Sequence, residues 1–277
     1  MRYVSYVDAA GRAGYGRLEG DAVVELGGAG APADLKAALA EDTLASLPAG
    51  RTVPLATVTL LPPIPNPGKI LCVAMNYGAH VAEMGREVLA HPGIFTRWND
   101  TLVAHGGALV KPSASDCLDY EGELAVVIGK GGRRIAAADA FGHIAGFSVF
   151  NDASVRDWQR HNSQFIPGKN FPATGGFGPA LVTPDEIADL PSLRVQTRLN
   201  GVLVQDQPIA DMLCPVAEII AYLSAFTELS PGDVIATGTP SGVGEKRKPP
   251  LYMQPGDRVE VSIGAVGTLV NPVIAEA

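Results

Sequence analysis

Apolar residues recur along this chain in short runs bounded by glycine, proline and asparagine. The segments "RYVSYVD", "GYGRLEG" and "AVVEL" alternate apolar and polar positions, with Gly-containing turns between them. A period of two predicts short antiparallel strands. "ADLKAALAED" predicts a short helix with Asp34 near its start. Then "LPPIPNPGK", residues 61 to 69, places four prolines in nine positions. Such a stretch is neither helix nor central strand and reads as a stiff, extended boundary. The expected organisation is a small N-terminal α+β domain (1–62), a Pro-rich linker (63–68) and a large second domain (69–277).

Strand signals dominate the second part: "KILCVAM", "ELAVVIG", "HIAGFSVF", "LRVQTRLNGVLVQ", "DVIATG", "DRVEVSIG" and "GTLVNPV". Asn200-Gly201 predicts a type I′ hairpin turn, which needs positive φ at both positions. "CPVAEIIAYLSAFTEL" has Pro215 near its start and apolar residues at helical spacing, so it predicts a helix. No internal repeat or low-complexity tract interrupts this pattern. The expected class is β-rich α+β.

Composition narrows the function classes. With 277 residues and 47% hydrophobic content, the chain can bury a sizeable core. A net charge of −8 argues against nucleic acid or an anionic membrane as the main partner. Nothing approaches a run of 18 apolar residues, and the first residues lack the apolar region of a signal peptide. Cys72, Cys117 and Cys214 are scattered, with no CxxC, which points to a reducing, cytoplasmic setting.

Candidate chemistry clusters at strand ends. In "LDYEGELAVVIGK", Glu121 and Glu123 stand two apart and share a strand face. Two unpaired, partly buried carboxylates repel, and a divalent cation relieves them. Oxygen-only ligands favour Mg²⁺, Mn²⁺ or Ca²⁺ over zinc. The same pair also reads as exposed acids at a strand end. Asp152, after the apolar run "HIAGFSVF", can supply a third carboxylate, or it can belong to a turn or a helix N-cap. Arg156 beside such acids reads most simply as an ion pair. His80 and Glu83, three apart, share a face if their segment is helical. A Glu-held imidazole is a general base for water, although an exposed helical pair has the same spacing. Lys169, in the loop "PGKNFPATGGFGP", lacks local acidic partners and can meet a substrate carboxylate or oxyanion. "GTPSGVGEK" fails the phosphate-loop pattern, because Gly244 is followed by Glu245, Lys246 and Arg247. A backbone nest there, with the Thr239 hydroxyl, can still bind a carboxylate.

Taken together and in order, "NYGAHVAE", "DYEGELAVVIGK", "NDASVRDWQ", "PGKNF", "LNGVLVQ", "LSPGDVIATGTPSGVG" and "GDRVEVSIGAVGTLVNPV" resemble the fumarylacetoacetate hydrolase superfamily from about Lys69 to the C-terminus. The resemblance is to its shorter bacterial acylpyruvase-type members and their heptadienedioate isomerase relatives. It implies a mixed β-sandwich roll, a homodimer and a small oxo-carboxylate substrate. It also implies Mg²⁺ or Mn²⁺ on Glu121, Glu123 and Asp152, with His80 and Glu83 as the water-activating pair on a lid. Lys169 matches the family's active-site lysine, and Thr239, Gln159 and Tyr77 fall at substrate-contacting positions. Many relatives read F-x-K where this chain has Phe95-Thr96-Arg97, so Arg97 is expected to contact a substrate carboxylate. The expected reaction is hydrolysis of a C–C bond in a 2,4-dioxo acid. Oxaloacetate decarboxylation and keto–enol tautomerisation at the same site are the alternatives, and a non-catalytic binding protein is the reading from another class.

Overall fold

A computed structural model describes residues 1–28 and 30–277. Its centre is a twelve-stranded sheet. Along the main path lie Ala49–Pro54, Ala22–Leu26, Ala13–Glu19, Arg2–Asp8, Gly175–Val182, Ile144–Asp152, Gly122–Ile128, Val234–Ala236, Ile70–Ala74 and Gly93–Arg97. Most neighbours are antiparallel, whereas Val234–Ala236 runs parallel to Ile70–Ala74. A second sheet of five strands contains the hairpin Arg194–Leu199 and Val202–Pro208, then Arg258–Ile263, Gly267–Ala275 and Leu109–Lys111. The hairpin turns at Asn200 and Gly201 with φ of 52° and 81°, as the Asn-Gly pair requires.

The run Leu124 to Ile128 is apolar on both parities because both of its faces are covered. Leu124, Val126 and Ile128 pack with Val195, Val261, Ile263 and the Val216–Phe226 helix. Ala125 and Val127 point the other way, against Tyr3, Tyr15, Leu26 and Leu35 of the N-terminal segment. These N-terminal side chains therefore cover one face of the large sheet. The segment also extends it, since Arg2 pairs with Val182 and Tyr3 with Leu181. Asp34 caps the Leu35–Ala40 helix by accepting from the Ala37 N–H at 2.7 Å.

The Pro-rich segment is packed: Ile64 is fully buried, and Ser5 Oγ donates to the Pro63 carbonyl at 2.8 Å. Prolines there remove donors without leaving the chain free. The glycine- and proline-rich stretch around Lys169, expected to be a loop, is not all loop. Ile166–Lys169 is a helical turn, and Gly175–Val182 is a central strand joining the N-terminal layer to the rest of the sheet. No helix among the described residues is long and apolar enough to cross a membrane.

Candidate metal centre and active site

Register brings the acids together. Glu123 lies opposite Phe150, Asp152 is the last residue of its strand, and the Asp152 N–H donates to the Glu121 carbonyl at 2.8 Å. Glu121, Glu123 and Asp152 thus share one face. All three are buried, and each offers a carboxylate oxygen within 4.8 Å of the other two. The donor set is all oxygen and hard, which fits Mg²⁺ or Mn²⁺.

Cations surround two of the acids and leave the third. Lys169 Nζ donates to Glu121 Oε2 at 2.6 Å and to Asp152 Oδ2, and it lies 4.9 Å from the centre of the Phe95 ring. Arg156 donates from Nη1 to Glu121 Oε1 at 2.5 Å and from Nε to Asp119 Oδ2 at 2.8 Å. Burial alone would raise the Glu121 pKa. Arg156, Lys169 and His80 outweigh burial and hold it at about 2. Burial raises the Glu123 pKa well above the ordinary carboxylate range, and Asp152 and Glu121 push it further. Its carboxylate accepts one bond, from the Gly238 N–H at 2.8 Å. Burial opposes a charged Lys169, but Asp152 and Glu121 more than compensate and raise its pKa. Four buried carboxylates (Asp119, Glu121, Glu123, Asp152) face three buried cations (Arg97, Arg156, Lys169). The residual negative charge at Glu123 calls for a proton or a metal ion.

The Gly78–Glu83 helix carries His80 and Glu83, with His80 Nδ1 3.3 Å from Glu83 Oε2. Glu83 also accepts from the Gly242 N–H at 3.0 and 3.1 Å. A Glu83 that accepts from Nδ1 leaves Nε2 as the basic nitrogen. Gly242 has φ +104°, and a Cβ there would fall 2.1 Å from the Val204 carbonyl oxygen, so the turn is closed to other residues.

This turn was expected to bind a substrate carboxylate through its backbone. Instead its N–H groups hold the protein's own acids: Gly238 holds Glu123, Gly242 holds Glu83, and Gly244 and Glu245 hold Asp119 at 2.8 and 2.9 Å. Thr239 Oγ1 donates to the Gly122 carbonyl at 3.0 Å and accepts from Gln205 Nε2 at 2.8 Å. Gln159 Oε1 accepts from Arg156 Nη1 at 3.0 Å.

His80, Glu121, Glu123, Gln159, Lys169 and Thr239 line one cavity of about 30 Å³, together with Arg156, Phe95, Met75 and Met84. Its volume suits a water or two rather than an organic acid. A larger open depression of about 610 Å³ lies between the N-terminal layer and the Gly129–Gly131 loop, and none of these residues reaches it. Two expected substrate contacts fall elsewhere. Tyr77 is wholly buried in the core, its hydroxyl unpartnered, and it does not line the cavity. Arg97 is fully buried behind Asp152, with Nη1 donating to Asp152 Oδ1 at 2.6 Å, so its guanidinium is not free for a substrate carboxylate.

Two functional positions escaped the sequence reading. Asp119 ties Arg156 to the glycine-rich turn, and it was legible as the first acid of an alternating D-x-E-x-E pattern. Gln205 accepts from the Gly122 N–H at 3.0 Å and donates to Thr239, a role with no local sequence signal.

Residues 69–274 match the family described as fumarylacetoacetate (FAA) hydrolase C-terminal, and residues 1–63 match an Rv2993c-like N-terminal family. The oxaloacetate tautomerase YisK of Bacillus subtilis (strain 168) is 43% identical over 224 residues, 79% of this chain and 74% of that protein. The solved 2-hydroxyhepta-2,4-diene-1,7-dioate isomerase of Mycobacterium marinum superposes with a TM-score of 0.83 at 30% identity, covering 100% of this chain and 99% of that one. The fumarylacetoacetate hydrolase of Exiguobacterium antarcticum gives 0.84 at 34% identity, with 100% of both chains covered. The buried acid triad, the sheet that carries it and the matched span agree: this chain belongs to the fumarylacetoacetate hydrolase family.

Proposed function

We propose that this protein is a Mg²⁺- or Mn²⁺-dependent enzyme that interconverts the keto and enol forms of a short 2-oxo dicarboxylate such as oxaloacetate. The observation that carries the reading is the buried acid triad, two of whose members, Glu121 and Glu123, line one small cavity with Lys169 and His80. The 43% identity to an oxaloacetate tautomerase supports it. The sequence alone ranked C–C hydrolysis first and enolate chemistry second, and the curated relatives favour the reverse order.

Glu121, Glu123 and Asp152 would hold the cation, which supplies Lewis acidity to the 2-oxo group. His80 Nε2 takes the proton from C3 while Glu83 holds the ring. Lys169 balances the negative charge that develops on oxygen. The proton then returns to the 2-oxygen, completing the enol without loss of atoms. Gln159, through its amide nitrogen, and Arg156, whose Nη2 has no partner, offer donors to the substrate's oxygens, with Thr239 lining the cavity beside them. The cavity of about 30 Å³ has to widen for a four-carbon acid, and the short Gly78–Glu83 helix that carries His80 is the element proposed to open as a lid.

Ketonisation of enol-oxaloacetate, followed by ultraviolet absorbance, tests this. We expect acceleration with Mg²⁺ or Mn²⁺, its loss with EDTA, and a fall of about 100-fold or more in His80→Ala. Hydrolysis of a 2,4-dioxo acid is the second reading, because a Glu-held histidine suits water activation equally well. Turnover of acylpyruvates without acceleration of oxaloacetate ketonisation would replace the first reading with the second. Tight metal binding with neither activity would mark a binding protein. The expected homodimer forms part of the same proposal, and light scattering checks it.

A further inference from the structure

We propose that Arg97 is the positioning residue that sets Asp152 for the cation, by assigning one carboxylate oxygen to the protein and leaving the other for the metal. The inference rests on the metal-site reading above.

Arg97 ends the Gly93–Arg97 strand and turns its side chain inward, fully buried. Nη1 donates to Asp152 Oδ1 at 2.6 Å and to the Ala153 carbonyl at 3.0 Å. Nη2 donates to Thr174 Oγ1 at 2.7 Å, and that hydroxyl in turn donates to the Phe171 carbonyl. Nε reaches Thr101 Oγ1 at 3.4 Å. The guanidinium thus ties three chain segments to one carboxylate oxygen. The other oxygen, Oδ2, accepts from Lys169 Nζ, which also donates to Glu121, so it lies on the triad side with one lone pair left for a cation. With Oδ1 held, the carboxylate cannot rotate, and Asp152 presents one defined oxygen.

The space for this arrangement is built into the backbone. A Cβ on Gly175 would lie 3.0 Å from Arg97 Nε and 3.2 Å from Nη2. Glycine at this point of a central strand, costly in itself, makes room for the guanidinium. Lysine has the charge but not the fork: a single ammonium cannot meet the Asp152, Ala153 and Thr174 acceptors in the same directions.

Mn²⁺ alone is the probe, with affinity measured by calorimetry and the metal-free fold by urea unfolding. Arg97→Lys keeps the charge and loses the geometry. We expect its Mn²⁺ affinity to fall about tenfold or more while unfolding without metal stays cooperative. Thr174→Val removes one anchor of the fork, and we expect a loss of about threefold. Arg97→Lys within about twofold of the parent overturns the proposal, because an ion pair serving stability alone leaves metal affinity unmoved. Should Arg97→Lys fail to fold, Thr174→Val decides by the same criterion. A parent protein that does not bind Mn²⁺ overturns the metal-site reading instead, so the two failures are distinct.

Discussion

Glu121 and Glu123 stand two apart on one sheet face, yet the fold treats them oppositely. Glu121 holds two buried cations, whereas Glu123 has a single backbone donor and two acidic neighbours. Replacing Glu121 by Gln leaves Arg156 and Lys169 each short of a charge, and we expect a cost of about 3–5 kcal/mol in the metal-free protein. Glu123→Gln removes a carboxylate that repulsion already disfavours, and its amide oxygen can still accept from Gly238. We expect a change within about 1 kcal/mol without metal, together with loss of Mn²⁺ binding. Urea unfolding of both variants checks the contrast, and equal losses would sink it. The acids' place on one face followed from strand periodicity. Their opposite electrostatics did not, because Lys169 comes from a distant helical turn and Arg156 from beyond the neighbouring strand.

Secondary structure was legible where residues carry apolar side chains at strand or helix spacing, as in Leu124 to Ile128 and Val216 to Phe226. It failed at Gly175–Val182, where glycine and proline argue against a central strand. There close packing overrides propensity: a Cβ on Gly176 would fall 2.7 Å from Asn271 Oδ1. His105 joins this region to the second sheet, its Nδ1 accepting from the Val270 N–H at 3.3 Å. Burial lowers its pKa below the ordinary 6.5. A lowered folded-state value means the unfolded chain binds the proton more readily. The stabilisation is therefore complete above about pH 6.5 and declines as pH falls through the folded value. We expect the urea midpoint to drop between about pH 7 and pH 5, and His105→Gln to flatten that slope. An unchanged slope in the variant would remove His105 as its source.

At the scale of the molecule, the sequence predicts a small N-terminal domain joined to the rest by a Pro-rich linker. Matching families do meet between residues 63 and 69, but the sheet runs across that point. Tyr3, Tyr15, Leu26 and Leu35 cover Ala125, Val127, Phe177 and Leu181. Removing residues 1–63 would expose that apolar face and the edge of Gly175–Val182 together. We expect the remaining chain to aggregate or to lose cooperative unfolding, as read by size-exclusion chromatography and circular dichroism. A soluble fragment that unfolds cooperatively would show instead that the second unit folds alone.

The sequence by itself determined the strand-rich class, the Asn-Gly hairpin, the capped helix and the shared face of Glu121 and Glu123. Each depends on backbone preferences or a short side-chain period, so each is written locally. Only the tertiary structure decided which acid meets which cation, that the glycine-rich turn grips the protein's own carboxylates, and that Arg97 stands behind Asp152 rather than before the substrate. Charges act through space in a low-dielectric interior. Their partners are set by which strands lie side by side, and no local stretch of sequence encodes that.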